Sequence, residues 1–146
     1  MRVAGMRLNL MWLGVAMALI LVAIFVFAGR GSPTSTAQEF MEALARGDTA
    51  KLTDLTYIRN GDKEAMRKGY DFATHEAGQN YSFLWRVKDE HQADANDASV
   101  QLSVIRNARG MASFEENFEI PLVRQDGKWL VDVGGINDLL YPALPH

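Results

Sequence analysis

Cysteine is absent from the 146 residues, which excludes a disulfide framework, thiolate zinc sites, a cysteine nucleophile and the lipid-modified cysteine of a bacterial lipoprotein. The same absence leaves the redox compartment open. Histidine is nearly as scarce. His75, His91 and His146 are the three present, and none has a second histidine or carboxylate at a spacing that singles out a metal site. A Gly-rich phosphate loop, a serine elbow and an aspartate cluster are missing too. The sequence therefore offers no catalytic residue, no metal ligand set and no cofactor motif.

Negative charge is missing from the start of the chain. All 18 acidic residues follow Ser32, whereas Arg2, Arg7 and Arg30 precede it, so the 12 remaining basic residues leave the later part at −6. An acidic domain with no basic patch interleaved with aromatics repels phosphate backbones, which argues against nucleic acid as a partner.

Polar side chains are missing from residues 8–28, apart from Asn9. About 20 such residues in a helix cross the roughly 30 Å hydrocarbon layer. Arg2, Arg7 and the terminal amine precede the run and only Arg30 follows closely. That bias predicts a single-pass anchor in the cell membrane, with a cytoplasmic N-terminus and the domain extracytoplasmic. Trp12 is placed to anchor at the cytoplasmic interface. Residues 1–31 then hold the N-terminus, anchor and start of the linker, and residues 32–146 one folded domain, a size suited to one modest core. The rival is secretion after signal cleavage near Ala28, since Val26-Phe27-Ala28 resembles a small-x-small site. Against it, the apolar run exceeds the ~7 to 15 residue core of such peptides. A buried soluble helix is weaker still, because the domain would have to cover a helix apolar on every face.

After the linker the chain reads as helices and then strands. Ser32 before Pro33 suits an N-cap and first helical position, with Thr36 and Glu39 as an alternative capping box. Ala37, Phe40, Met41 and Leu44 recur at helical spacing, and Gly47 offers a left-handed stop. Asp48 caps a second helix with Leu52 and Leu55 inward. After a turn at Asn60-Gly61, Asp62 caps a third, whose buried side is expected to hold Ala65, Met66, Tyr70 and Ala73 with Phe72 beside them. Gly69 weakens that helix and Gly78 ends it.

Beyond Gly78 the period drops to two. Tyr81, Phe83, Trp85 and Val87 form the first alternation, Val100, Leu102 and Val104 the second, Phe114, Phe118, Ile120 and Leu122 the third, and Trp129, Val131 and Val133 the fourth. Asp126-Gly127 is the favoured composition for a two-residue type I′ turn, and the register it sets places Leu122 opposite Val131. The fold class predicted is α+β: an N-terminal transmembrane helix, then about three helices packed on a curved antiparallel sheet of about four strands.

This order, with Ala45-Arg46-Gly47-Asp48 ending an amphipathic helix and Asp126-Gly127-Lys128-Trp129-Leu130-Val131 closing the sheet, resembles the nuclear transport factor 2-like superfamily, notably its small membrane-anchored or secreted bacterial members. The likeness covers nearly all of residues 33–136. It implies a cone in which the sheet curls around the long helix, with a pocket between helices and concave face. The superfamily includes dehydratases, isomerases, ligand binders, secretion-machine components and dimerisation modules, so fold alone assigns no function.

Enzymes of this family that isomerise or dehydrate small apolar substrates use an Asp or His base with Tyr donors in a dry pocket. The resemblance brings Asp54, Tyr57, Tyr70 and His75 toward such a pocket, though no motif marks them as that set; Asp71 and His75, four apart, read equally as a helix-stabilising pair. Two charges break the strand alternation: Arg106 continues the inward parity of Val104, and Glu116 lies between Phe114 and Phe118. Either they meet or hold a polar ligand group at the open end of the cone, or a bulge at Glu115-Glu116 and a strand end at Arg106 turn both to water. The candidate ligand-binding residues are Tyr57, Tyr70, Arg106 and Glu116. The expected role is a non-enzymatic, membrane-tethered domain that binds an envelope protein or a small apolar ligand. One rival is an isomerase or dehydratase-like enzyme. The other is a structural homodimer joined through an outer-face patch at Leu84 and Ile105.

Overall fold

The computed structural model describes residues 31–106 and 113–146. The expected membrane span at residues 8–28 lies outside them, and no helix among the described residues is long and apolar enough to cross a membrane.

Helix α1, Pro33–Arg46, begins where Ser32 accepts the Ser35 N–H at 3.1 Å and Pro33 supplies a preset φ at the first helical position. It ends at Gly47, whose φ of 68° lets its own N–H and that of Asp48 return to Leu44 and Ala43. Its apolar stripe, including Ala37, Phe40, Met41 and Leu44, is buried and touches all four strands. Asp48 caps α2, Thr49–Leu55, through the Lys51 N–H at 3.0 Å, and Asp62 caps α3, Lys63–Asp71, through the Ala65 N–H at 2.9 Å. Each cap satisfies one of the donors that a helix start leaves unpaired.

α3 does not stop at Gly78 as an α-helix. It passes into a π-helical turn, Phe72–Ala77, where the Gly78 N–H reaches back five residues to the Ala73 carbonyl at 2.7 Å. The wider turn keeps Tyr70, Ala73 and Thr74 inside and carries Phe72 out. Two expected core positions are corrected: Phe72, carried out by this turn, is 50% exposed, and Ala65, in the regular first turn of α3, is exposed as well. Gly69 and Gly78 also prove to be packing positions. A Cβ at Gly69 would meet the Pro145 ring at 2.7 Å, and one at Gly78 would strike the Tyr141 hydroxyl.

The sheet is an antiparallel meander in the order β1, Phe83–Gln92; β2, Asp97–Arg106; β3, Phe114–Gln125; β4, Lys128–Val131. Leu122 pairs with Val131 across a two-residue loop in which Asp126 and Gly127 have φ of 51° and 77°, the double positive φ of a type I′ turn. Val100, Leu102, Val104, Phe118, Ile120, Leu122, Trp129 and Val131 form the inward face with the helices. Two alternations end short. Phe114 is 50% exposed, and Val133 is buried in a 3₁₀ turn, Val133–Gly135, rather than in a strand. Beyond β4 the edge of the sheet is met by Thr56 in a parallel bridge to Val131, with the Tyr57 N–H on the Val131 carbonyl at 2.8 Å.

Candidate functional site

Arg106 and Glu116 meet. β2 and β3 pair without a bulge from Arg106↔Phe114 through Val104↔Glu116, so both side chains fall on the inward face, one diagonal step apart. Arg106 Nε and Glu116 Oε2 stand 2.8 Å apart. Both atoms are buried, yet the N–H does not aim at the oxygen well enough to make a hydrogen bond. The contact is therefore a charge pair at close range, and its strength comes from Coulomb attraction at reduced solvent exposure. The Arg106 side chain is 19% exposed and that of Glu116 37%.

The guanidinium is held from three further directions. It lies over the Tyr81 ring at 5.6 Å and the Phe118 ring at 5.4 Å, each a cation–π contact. Its Nη2 donates to the Leu139 carbonyl. Beside it the Tyr81 hydroxyl donates to the Leu140 carbonyl at 2.9 Å. Burial raises the Tyr81 hydroxyl's pKa from its ordinary value, and the neighbouring Arg106 charge partly offsets this, so the hydroxyl is a proton donor at neutral pH.

Beside this pair an aromatic row starts at Tyr81, just before β1, and continues along the inward side of that strand. Tyr81, Phe83 and Trp85 stack successively at 5.5 and 5.7 Å, and Tyr141 packs edge-on against Tyr81 and Phe83. Tyr81, Phe83, Trp85 and Val87 are only partly buried, because β1 is an edge strand and its inward side lies at the margin of the core. A cleft of about 170 Å³ opens there between the end of α1, the π-helical turn and Tyr81, Phe83 and Tyr141.

The other two candidate residues do not join this cluster. Tyr70 is fully buried in the core. Its hydroxyl lies 2.5 Å from Thr56 Oγ1, which itself donates to the Leu52 carbonyl at 2.8 Å, so the tyrosine is the donor of the pair. Burial pushes its pKa well above the usual tyrosine range. It is a core residue whose polar end is satisfied. Tyr57 lies elsewhere, lining a cleft of about 250 Å³ with Arg59, Met66, Asp132 and His146; there Arg59 pairs with Asp132 at 3.2 Å.

Asp54 is exposed, and His75, 57% exposed, pairs with the exposed Asp71 at 3.1 Å. Neither is enclosed in a water-excluded pocket. Among the described residues no group of three or more His, Cys, Asp or Glu could hold a metal ion. On the outer sheet face Leu84 and Ile105 are paired neighbours, flanked by Arg86, whose guanidinium donates to Glu115 at 3.0 Å while Ser103 donates to the same carboxylate. These donors hold the Glu115 carboxyl below its usual pKa, Ser103 first and Arg86 second.

Sequence reasoning missed Tyr81 and Leu139 as partners of Arg106. The Leu139 carbonyl left no signal, because a backbone acceptor carries no side-chain signature.

Neither a protein-family model nor a curated protein matches the chain. Solved structures do. A SEC-C motif containing protein from Rhodopseudomonas palustris superposes with a TM-score of 0.53 at 14% identity, over 69% of this chain and 75% of that one. An NTF2-like protein from Campylobacter jejuni, provisionally named a transpeptidase, superposes with a TM-score of 0.52 at 18% identity, over 69% of this chain and 97% of that one. The chain thus adopts the nuclear transport factor 2-like fold. At these identities the likeness establishes fold and not activity.

Proposed function

We propose that this chain is a membrane-tethered, extracytoplasmic binding domain without catalysis, and that its working surface is the end of the cone around Arg106. The observation that carries the reading is the half-open row Tyr81, Phe83, Trp85 and Val87, running up to a charge pair that interrupts the inward face. Partly exposed aromatics next to an oriented arginine are the composition of binding centres, where large rigid side chains give contact area at low entropic cost. The isomerase or dehydratase-like alternative needs a desolvated Asp or His within reach of a tyrosine donor. Asp54 and His75 are exposed, and the Tyr70 hydroxyl is taken by Thr56. The tether rests on the apolar run at residues 8–28 and the basic residues before it.

Two measurements test this reading. A reporter fused after His146 is expected outside the cytoplasm; a cytoplasmic reporter refutes the tethered orientation. A photo-reactive side chain in place of Trp85 is expected to give an adduct in the native membrane that the same group at Lys88, on the opposite face of the same strand, does not give. Equal labelling from both positions removes the row from the binding surface.

A further inference from the structure

Tyr141 is a buried tyrosine whose hydroxyl is unpaired. The residue is 4% exposed, yet among the described residues its oxygen makes no hydrogen bond, whereas the Tyr70 and Tyr81 hydroxyls are matched by Thr56 and the Leu140 carbonyl. Nor is the oxygen sealed in. Among the described residues the fully enclosed side-chain atoms without a partner are Arg106 Nε and Glu116 Oε2, so the Tyr141 hydroxyl opens on the cleft of about 170 Å³ that the residue lines. Burial, and then the neighbouring Tyr81, raises its pKa from the ordinary value, which keeps it a neutral hydroxyl at pH 7.

Three local irregularities shape this cleft. Gly78 lacks the Cβ that would strike the Tyr141 hydroxyl. The π-helical turn Phe72–Ala77 brings Thr74 and His75 to the wall, and such turns recur at functional sites. Gly47 ends α1 in a way that leaves acceptors free. The N–H groups of Gly47 and Asp48 return to Leu44 and Ala43, and that of Thr49 to Gly47. Among the described residues the Ala45 and Arg46 carbonyls therefore receive no donor. Both residues line the cleft, which thus holds the negative end of a 14-residue helix.

The surroundings suit a cation. Tyr81, Phe83 and Tyr141 line the opposite wall, and ring faces attract positive charge. The basic groups nearby are already matched: Arg46 by Glu42 at 3.5 Å, His75 by Asp71 at 3.1 Å, and Arg106, over the Tyr81 ring, by Glu116 at 2.8 Å. A carboxylate would meet the helix end with the wrong sign. Size sets the class further, because a cavity of about 150 Å³ holds benzene, so this one admits a single ring with a short substituent.

We propose that the cleft between the end of α1, the π-helical turn and Tyr141 binds a small primary amine as its ammonium. The ammonium donates to the Tyr141 oxygen and to the free carbonyls of the helix end, and the rest of the molecule lies against Tyr81 and Phe83. This rests on the reading of the domain as a binding module and names the ligand class at the start of the same aromatic row.

The test uses the full chain in nanodiscs of zwitterionic lipid at neutral pH, with empty discs subtracted, and titration calorimetry with benzylamine, benzyl alcohol and benzoate, one shape in three charge states. Benzylamine is expected to bind saturably and shift the Gly47 and Gly78 amide resonances, benzyl alcohol to bind at least about tenfold more weakly, and benzoate not to bind. Tyr141→Phe removes one hydrogen bond to a charged group and is expected to weaken benzylamine about tenfold. Its melting temperature is expected to be unchanged, because the hydroxyl has no partner within the fold. Phe83→Leu removes a ring face and is expected to cost benzylamine about threefold and benzyl alcohol less. Absence of saturable benzylamine binding, equal affinity for the alcohol, resonance shifts that bypass Gly47 and Gly78, or undiminished binding by Tyr141→Phe overturns the proposal. A lowered melting temperature of Tyr141→Phe also overturns it, since the hydroxyl would then already be used within the fold. Missing amine binding alongside an intact adduct at position 85 defeats the amine site alone, whereas loss of both defeats the binding surface itself.

Discussion

Breaking the Arg106–Glu116 pair in a double-mutant cycle measures what the interruption of the inward face contributes. An exposed pair contributes about 0.2 to 1 kcal/mol, whereas removing one partner of a buried pair costs about 3 to 5 kcal/mol. With side chains 19% and 37% exposed, this pair lies between those limits. Glu116→Leu leaves the guanidinium with the Leu139 carbonyl and two aromatic rings, so the charge is not fully stranded and the expected cost is about 1 to 3 kcal/mol. Arg106→Met leaves a carboxylate exposed enough to rehydrate but also frees the Leu139 carbonyl, for about 1 to 2 kcal/mol. The double variant should cost less than the sum by about 1 kcal/mol or more. Urea unfolding of the full chain, followed by tryptophan fluorescence, gives all four corners. The coupling should survive about 1 M salt better than a surface pair does, since burial limits screening. A coupling below about 0.3 kcal/mol, within the additivity of independent sites, refutes the geometric argument.

Three further outcomes rest on individual side chains. The Tyr70 hydroxyl has its pKa raised by burial above the ordinary 10; the neutral form is favoured in the fold, so its contribution is intact below pH 10 and is lost as pH rises through the folded value. Stability should therefore fall by about 1.4 kcal/mol per pH unit above 10 from this group, and Tyr70→Phe should flatten the alkaline limb while losing about 1 kcal/mol at neutral pH; an unchanged alkaline limb counts against it. In the last hairpin, Gly127→Val places a branched residue at φ 77° and should cost about 1 kcal/mol or more; Trp129→Ala removes a buried inward ring and should cost about 3 to 5 kcal/mol. A melting temperature untouched by the latter would mean that the face parity is wrong. Gly78→Ala sets a methyl against the Tyr141 hydroxyl and the Ala73 carbonyl and should cost about 1 to 3 kcal/mol, read by thermal melting against Gly127→Ala, whose Cβ meets nothing within 4 Å. A smaller loss at Gly78 than at Gly127 refutes the close packing.

The helix starts were legible because each depends on a few adjacent residues: Ser32, Asp48 and Asp62 all accept the expected backbone N–H. The last hairpin was legible for the same reason, since Asp126 and Gly127 carry the turn and the turn carries the register. Phe72 was misplaced because a helical face is read by assuming 3.6 residues per turn throughout, and the π-helical turn breaks that spacing; Ala65, five residues before Tyr70 in the regular part of the helix, falls off the inward stripe even at that spacing. In the site, Arg106 and Glu116 were visible as violations of a strand alternation. Tyr70 lies on the buried side as expected, but its place as a ligand-binding candidate falls away because Thr56, whose hydroxyl satisfies it, lies on another element and at no recognisable spacing.

The sequence by itself determined the order of elements, the capped helix ends, the inward parity of β2 and β3 and the type of the last turn, because all of these depend on short-range sterics and the periods of helix and strand. Only the tertiary structure decided that Arg106 pairs with Glu116, that Tyr81 joins it, and that the segment after β4 lies across the end of the sheet with its carbonyls on those donors. Contacts between residues 33 and 59 positions apart depend on how separate elements pack, and a backbone carbonyl has the same chemistry at every position in the chain. Local pattern carries no record of which carbonyl a distant arginine will meet.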